Sequence, residues 1–582
     1  MSESAPRRRA AAGALLLLFA AAIALRLGGL DYLLPHTPEP DAYVVEQARI
    51  LRAGVPEEAL ESRVWGKYPH LLARILALRP APEPPPEPPS RQNLEDHLRA
   101  ASAPMLEGRR LAAWLSALAV PLTWLLARRF YGPWEALLPA ALVATSLLHL
   151  FFSQQARPHG PLATLTLAAL LGALHVRRSG GAPRAWLLAS LLAALALACL
   201  HNGAAAYPPL LAAHLLAGGG RRWRLLWKPA LALLPGLLIL PLFYPFFFGP
   251  VGESGVVLGS GDLTQSGHRL RLSWFNGGGF AVIFRDALLA FDPVLLALLL
   301  AGAVLAAAGL RRRGRPADRP DRGDLLVVLA FALPYFLAVG LFEKSFERFV
   351  LPLLPPFALL AALPLVRLGR ARGPRWGVLA AAVALLGPAL LCARKLQLNC
   401  ADDTLERAAD WLAVHAPPWE GRLLLDPRLC LPVLARIEDP GKREGEFLMN
   451  RVPWRDHLER HPPRTPSRQV YDVRVIETRP QRPGLLNSRV DGRLSPGVKR
   501  DLRDDLVAAR GRYAAVRLPA EEGRVTPIGQ VIEPLAERLV RISPALDPAR
   551  PGANEGYEKE PMVLRLLRTR AWGPGLEIFE MR

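Results

Sequence analysis

Long apolar runs broken by short basic clusters dominate the first two thirds of the chain. They fall at 10–30, 109–128, 134–152, 160–176, 185–200, 204–217, 229–247, 283–309, 324–342, 348–366 and 376–393. A helix needs about 20 apolar residues to cross a bilayer. The pattern therefore predicts an α-helical polytopic membrane protein with about 11 transmembrane helices, the short run 204–217 reading as a half-helix. Arg7-Arg8-Arg9 followed by Ala10–Leu25 also has the form of a signal peptide. An uncleaved first helix is expected instead, because it gives the later loops consistent sides. With a cytoplasmic N-terminus, the inside loops carry Arg128-Arg129, Arg177-Arg178 with Arg184, Arg221-Arg222 with Arg224, Arg311–Arg322 and Arg367–Arg375. All are basic, as the positive-inside rule requires. The outside segments are 31–108, Ser153–His159, His201–Gly203, Gly249–Val282, Glu343–Glu347 and everything after Ala393.

From about Asn399 the pattern changes to shorter runs with more Asp, Glu and Pro. Asp402–Val414 predicts a helix. Arg422–Asp426, Val470–Ile476, Tyr513–Leu518 and Leu576–Glu580 predict strands, and Leu535–Ile542 a further helix. The expected organisation is a transmembrane domain over 1–395 and a soluble extracytoplasmic α/β or α+β domain over 396–582. No glycine-rich nucleotide motif, P-loop or zinc spacing occurs in the latter. The net charge of +21, from 72 basic and 51 acidic residues, would suggest nucleic-acid binding in a soluble protein. Here the surplus sits in short loops between apolar runs, where it sets orientation in the plasma membrane, and no nucleic-acid partner is expected. Of four cysteines, Cys199 and Cys392 lie in or beside apolar runs. Cys400 and Cys430 could pair if their domain is outside the cell.

The polar residues at span ends are the next signal. Asp41, Arg157, His159, His201, Glu343, Lys344 and Arg348 all fall on the expected outer side, and such residues at a membrane boundary are functional candidates. Asp41 heads a short predicted helix with Val44, Val45, Ala48 and Leu51 on one side and Gly54 as C-cap. A carboxylate held at the membrane surface this way can act as a general base; the simpler reading is a helix cap. Within the first outer loop, 31–108, Lys67-Tyr68-Pro69-His70 precedes an amphipathic stretch, Leu71–Leu78. The insert Pro80–Pro89 reads as a mobile polyproline II spacer. The Gly-rich segment Gly249–Gly279, with Trp274, Phe275 and Asn276, could be a lid, a re-entrant segment or a plain loop.

Taken together, several segments resemble the C-type integral-membrane glycosyltransferases that use polyprenyl-phosphate sugars, such as protein O-mannosyltransferases and the aminoarabinose transferase of lipid A. The matching segments are Pro40-Asp41 with Ala48 and Gly54, Tyr68-Pro69 with Leu71, Arg109–Gly132, FSQQARP at Phe152–Pro158, Leu200-His201, and ERFVLPLLPPFAL at Glu347–Leu359. The resemblance covers roughly 10–395. Ala42 stands where that family carries a second acid, with Glu39 or Glu46 near enough to substitute; His159 replaces an aromatic and Leu200 a threonine.

The resemblance implies transfer of a sugar from a polyprenyl-phosphate donor to an acceptor at the outer face, with inversion. Asp41 would be the base. Arg157 and Arg348 would hold the phosphate, because a guanidinium meets it in bidentate fashion. His159, His201, Tyr68 and Lys344 complete the expected substrate-binding set, although Lys344 could simply pair with Glu343. The arginines could also snorkel to lipid headgroups. No cofactor is firmly implied, and a divalent metal stays open. Two other classes remain: a transporter or flippase, which would be expected to show internal repeats not seen here, and a non-catalytic membrane scaffold with an extracytoplasmic domain.

Overall fold

The structure, a computed structural model, describes residues 5–39, 41–54, 68–217, 227–243, 262–265, 268–311, 321–438, 452–464, 467–476, 496–518, 527–546 and 560–582. Pro40, Lys67, the basic cluster 221–224, the greater part of Arg311–Arg322, the end of the run 229–247 and residues 249–261 of the Gly-rich outer segment lie outside the described residues.

The N-terminal part is helical. Its helices include α1 (Ala5–Leu27), α2 (Tyr43–Ala53), α3 (Leu94–Ala117), α4 (Leu147–Ser153), α5 (His159–Arg178), α6 (Arg322–Leu341), α7 (Leu354–Arg372) and α8 (Pro374–Asn399). Among the described residues six helices are long and apolar enough to cross a membrane, or seven if one bent pair is a single span. Two expected spans are not straight helices. The run 283–309 is bent by 119° between Gly279–Leu289 and Pro293–Ala308. The run 134–152 splits into Leu137–Ala144 and α4.

The second break has a physical cause. Arg26, fully buried, donates to Val143 O (3.3 Å) and Ala144 O (3.4 Å), and Cys392 Sγ donates to Thr145 O (3.3 Å). These satisfy carbonyls where the first piece ends. Asp292, at the bend of the other broken run, accepts from Leu147 N (2.7 Å) and Ser146 Oγ (2.6 Å) at the start of α4. Both orphaned helix ends thus find partners in a region that offers no water.

Loops expected on the cytoplasmic side do meet one another. Arg177 and Arg178, ending α5, pair at 2.6 Å and 2.5 Å with the carboxylate of Asp324, buried in the first turn of α6. Glu135 pairs with Arg370 at 2.6 Å. A 20-residue helix is about 30 Å long, so the other end of α5, at His159, lies far from this clamp.

After α8 the chain builds a six-stranded mixed sheet. Following a hairpin of β1 (Asp262–Gln265) and β2 (His268–Arg271), the strands are β3 (Arg422–Leu425), β4 (Ala435–Glu438), β5 (Tyr471–Val475), β6 (Gly511–Arg517), β7 (Ala536–Ile542) and β8 (Leu576–Met581). Their order is β4-β5-β3-β6-β8-β7. The first four are parallel to one another, and β8 and β7 close the sheet in antiparallel fashion. The expected helix at Leu535–Ile542 is therefore strand β7. Leu, Glu and Arg favour a helix locally, but pairing with β8 and cross-strand contacts from Arg538 and Arg541 to Glu577 override that preference. The helix α9 (Thr404–His415) is capped by Asp403, whose carboxylate accepts from Leu405 N and Glu406 N while Glu406 accepts from Asp403 N. The core beneath the sheet takes in Leu94, Leu98 and Ala101 at the start of α3, so the first outer loop and the sheet share packing. The proline insert is anchored at its far end: Glu87 O contacts His97 Nε2 at 3.0 Å, Pro88 O accepts from Asn93, and Pro89 is buried.

The clamp at α5 and α6 makes a prediction. Removing one partner from a wholly buried ion pair costs about 3–5 kcal/mol; here Asp324 is buried while Arg177 and Arg178 keep some contact with solvent, so the cost is smaller. Asp324→Ala should lower the thermal midpoint of the detergent-solubilised protein, measured by tryptophan fluorescence, more than Asp321→Ala, which removes the half-exposed N-cap of α6 and one partner of Arg177.

Candidate active site

After α1 the chain turns and returns towards the bundle through residues 28–39. Glu39 fixes that course. Its buried carboxylate accepts from Arg109 Nε at 2.6 Å and from the backbone N–H of Ala156. Arg109 in turn donates to Leu30 O (2.6 Å) and Tyr32 O (2.9 Å) and lies 4.3 Å from the centre of the Tyr32 ring. Gly108 is where the pieces converge: a Cβ there would meet Val45 of α2 at 2.7 Å and Ala156 at 2.9 Å. The acid considered as a stand-in beside Asp41 is thus spent on Arg109 and the loop backbone. Glu46, the other, pairs with Arg49 on the same helix.

Asp41 follows with φ at +60°, a left-handed conformation that Asp tolerates better than most residues. It does not cap α2: the N-cap is Ala42, with no side-chain cap bond. The carboxylate instead faces two guanidiniums. Its Oδ2 lies 3.2 Å from Arg348 Nη2 and 3.9 Å from Arg157 Nη1. The three residues come from the α2 approach, from the turn between α4 and α5, and from the 3-10 turn Glu347–Leu353 before α7. Arg348 is further held over the Phe346 ring at 4.2 Å. All three side chains are largely but not fully buried, with exposures of 18% for Asp41, 8% for Arg157 and 15% for Arg348.

Two more expected residues join them. His159 is buried, stacks on Phe349 with ring centres 5.8 Å apart, and meets the edge of Tyr68 at 6.1 Å. Among the described residues its Nδ1 has no hydrogen-bond partner. Burial, with the charge of Asp41 adding to it, pushes the Tyr68 hydroxyl up to about 12, so it remains a neutral donor at physiological pH. His201 begins a 3-10 turn after the helix Pro183–Cys199, half-buried and within electrostatic reach of His159. Lys344 is not brought into this group. It is exposed, pairs with Glu343 at 3.1 Å and lies over Trp274.

Sequence reading missed the residues that hold the site: Arg109, Gln154 and Lys395. Gln154 donates to Leu25 O (3.1 Å) and Gly28 O (3.0 Å) and accepts from Lys395 Nζ (2.5 Å) and Asn399 Nδ2 (3.1 Å). It thereby ties the ends of α1 and α8 to the loop carrying Arg157. Arg109 and Lys395 are buried cations next to apolar runs, which is the signal that could have marked them.

A single carboxylate facing two guanidiniums is not the donor set of a divalent cation, which takes several oxygens. The His36–Asp403–Glu406 group, whose donor atoms lie within 4.8 Å of one another, is already hydrogen-bonded internally as a helix cap, with His36 Nε2 at 2.5 Å from Asp403 Oδ2.

A carboxylate, two arginines, a buried histidine and a tyrosine at one end of an apolar helix bundle suit an anionic substrate with a polar head. Residues 102–248 match the model of the dolichyl-phosphate-mannose-protein mannosyltransferase family. The match takes in Arg109, Arg157, His159 and His201, about a quarter of the chain, and bears out the resemblance read from the motifs. Among solved structures, the apo oligosaccharyltransferase of Archaeoglobus fulgidus overlaps 93% of this chain and 74% of its own, at 12% identity and a TM-score of 0.47. ArnT from Cupriavidus metallidurans bound to undecaprenyl phosphate overlaps 70% and 73%, at 15% identity and 0.38. The arabinofuranosyltransferase AftD from Mycobacteria overlaps 100% and 40%, at 18% identity and 0.42. No curated protein sequence matches the chain.

The two acids near the turn should separate experimentally. Glu39→Ala leaves Arg109 buried without its carboxylate and should cost about 3–5 kcal/mol of stability. Asp41→Asn keeps a residue that accepts positive φ and takes its charge from longer, less buried contacts with Arg157 and Arg348, so it should lower the thermal midpoint clearly less than Glu39→Ala, by the same fluorescence assay.

Proposed function

We propose that the chain moves a sugar from a polyprenyl-phosphate donor to an acceptor hydroxyl or amine of a lipid, glycan or protein, at the outer face of the plasma membrane. The observation that carries this reading is the Asp41 carboxylate set between Arg157 and Arg348, on three separate elements at one end of the apolar bundle. The match of residues 102–248 to a family named for a lipid-phosphate sugar donor supports it.

In this reading the donor phosphate takes over the two guanidiniums, which bind it more fully than they bind one carboxylate. Asp41 is then released to act. The acceptor O–H or N–H attacks the anomeric carbon and its proton passes to Asp41. The bond from that carbon to the phosphate oxygen breaks on the opposite side, so the configuration inverts. The phosphate leaves on its lipid with its charge held by Arg157 and Arg348. His159, with an open Nδ1, and the neutral Tyr68 hydroxyl are placed to bind the sugar or phosphate, and His201 lies next to them. No step is routed through a metal. The same reading places the N-terminus in the cytoplasm, takes about 11 crossings from the apolar runs, and puts residues 396–582 outside as a separate domain.

General-base contributions are about 10²–10⁴-fold. Asp41→Asn should therefore lower single-turnover transfer from a saturating lipid-linked donor by at least about a hundredfold, with donor binding much less affected. A rate within a few-fold of the parent would remove Asp41 from the chemistry. Arg157→Lys and Arg348→Lys keep charge but lose the planar fork, so each should raise the donor concentration needed for half-maximal rate more than that of the acceptor. A periplasm-active reporter fused after Ala393 should be active and one fused within Arg311–Arg322 silent; the reverse would scatter the proposed site across both membrane faces.

A further inference from the structure

One helix beyond the apolar bundle reaches the segment that carries Asp41. It is α10 (Pro453–Arg460), between β4 and β5 in sequence. Trp454, fully buried, donates its backbone N–H to Pro35 O at 2.9 Å and its indole N–H to Val433 O at 3.1 Å. Pro35 lies six residues before Asp41. Asp456 on α10 is within electrostatic reach of Arg49 on α2, the helix that follows Asp41. The helix thus bonds to the stretch before Asp41 and lies within electrostatic reach of the helix after it.

A pair of buried histidine rings ties α10 to α3. His457 Nε2 lies 2.8 Å from His97 Nδ1 of α3, and His97 Nε2 lies 3.0 Å from Glu87 O. A carbonyl only accepts, so His97 Nε2 carries a proton and the neutral His97 Nδ1 accepts. His457 must then donate from Nε2. A proton added to His457 puts a charge into this buried contact, which burial disfavours. With both rings charged, two N–H groups would face each other at the contact, with no acceptor between them. The third ring, His461, sits with its centre 4.9 Å from that of His457.

We propose that the His97–His457 contact is a pH-responsive latch by which α10 holds the Asp41 segment in its working position. The charged groups on the packed elements are Glu95, Asp96 and Arg99 of α3, Glu87 of the proline insert, Arg49 of α2, and Arg455, Asp456, Glu459 and Arg460 of α10. Glu95 and Asp96 are engaged by Arg99 at the surface. The groups that act on His457 are His461, His97 and Arg460, all cationic when charged. Burial first, and these neighbours after it, lower His457 to about 4, and burial likewise lowers His461.

A histidine lowered in the docked state favours docking while neutral. Docking is at full strength above the free value of about 6.5 and weakens as pH falls from there towards 4. For a shift of that size the docking equilibrium falls about 30-fold between pH 7.5 and pH 5. The latch goes beyond the proposed transfer activity and depends on it only for its consequence at Asp41.

Hydrogen exchange on the full chain in lipid nanodiscs tests the latch without any transfer assay. After correction for intrinsic rates, opening of Pro453–Arg460 and of Tyr43–Ala53 should rise together by about 30-fold from pH 7.5 to pH 5. The His97→Asn/His457→Gln double variant, which can keep a neutral amide contact, should abolish that rise. Equal protection at both pH values in the unmodified chain, or an equal rise in the double variant, would overturn the proposal.

Discussion

Everything near Asp41 depends on where Glu39 goes. A carboxylate buried at the side of a helix bundle is costly unless its charge is met and its lone pairs are filled. Arg109 meets the charge, and the Ala156 N–H fills a further lone pair. Arg109 is itself satisfied by Leu30 O and Tyr32 O. One ion pair therefore binds the return of the chain after α1, the start of the family-matched region and the turn that carries Arg157. Asp41, two residues on, has little freedom left. Its left-handed backbone is held by what surrounds it, as at many sites where strain is kept for function.

The same logic recurs deeper in the bundle. Arg26 and Asp292 serve the two sides of the break before α4, and α4 delivers the loop with Gln154 and Arg157. Lys395 lies against the rings of Tyr32 and Phe151 and reaches Gln154 and Asn399. Trp572, close to β8, donates to Asn399 at 2.8 Å. Polar groups in an apolar region have no water to fall back on, so each must find a fixed partner. That requirement turns scattered charges into a continuous frame from the bundle to the segment beyond it.

That frame gives the mixed sheet a structural bearing on the Asp41 end of the bundle. The core under the sheet includes the first turns of α3, and α10 reaches Pro35. His36 meets Asp403 at the cap of α9 in the same stretch. The segment that leads to Asp41 is thus built from both parts of the chain, and neither would set its course alone.

The apolar runs determined from sequence alone that this is a helical membrane protein, because length and hydropathy are local properties read directly off consecutive residues. The same is true of α2 with its glycine cap and of strands β3, β5, β6 and β8, where pattern and tertiary position agree. The motif resemblance also brought Asp41, Arg157 and Arg348 to notice, since charges at span ends stand out against an apolar background. Only the tertiary structure decided their relation. Sequence spacing could not show that Glu39 is consumed by Arg109, that Asp41 leaves the helix uncapped, or that Lys344 turns aside to Glu343. It could not show the split at Thr145–Ser146, whose causes are Arg26, Cys392 and Asp292 from distant helices. Nor could it turn Leu535–Ile542 from helix to strand, because the pairing with β8 that decides it is long-range. Local pattern fixes which residues are apolar and where elements begin; partners brought together by the fold fix which polar groups are left to meet a substrate.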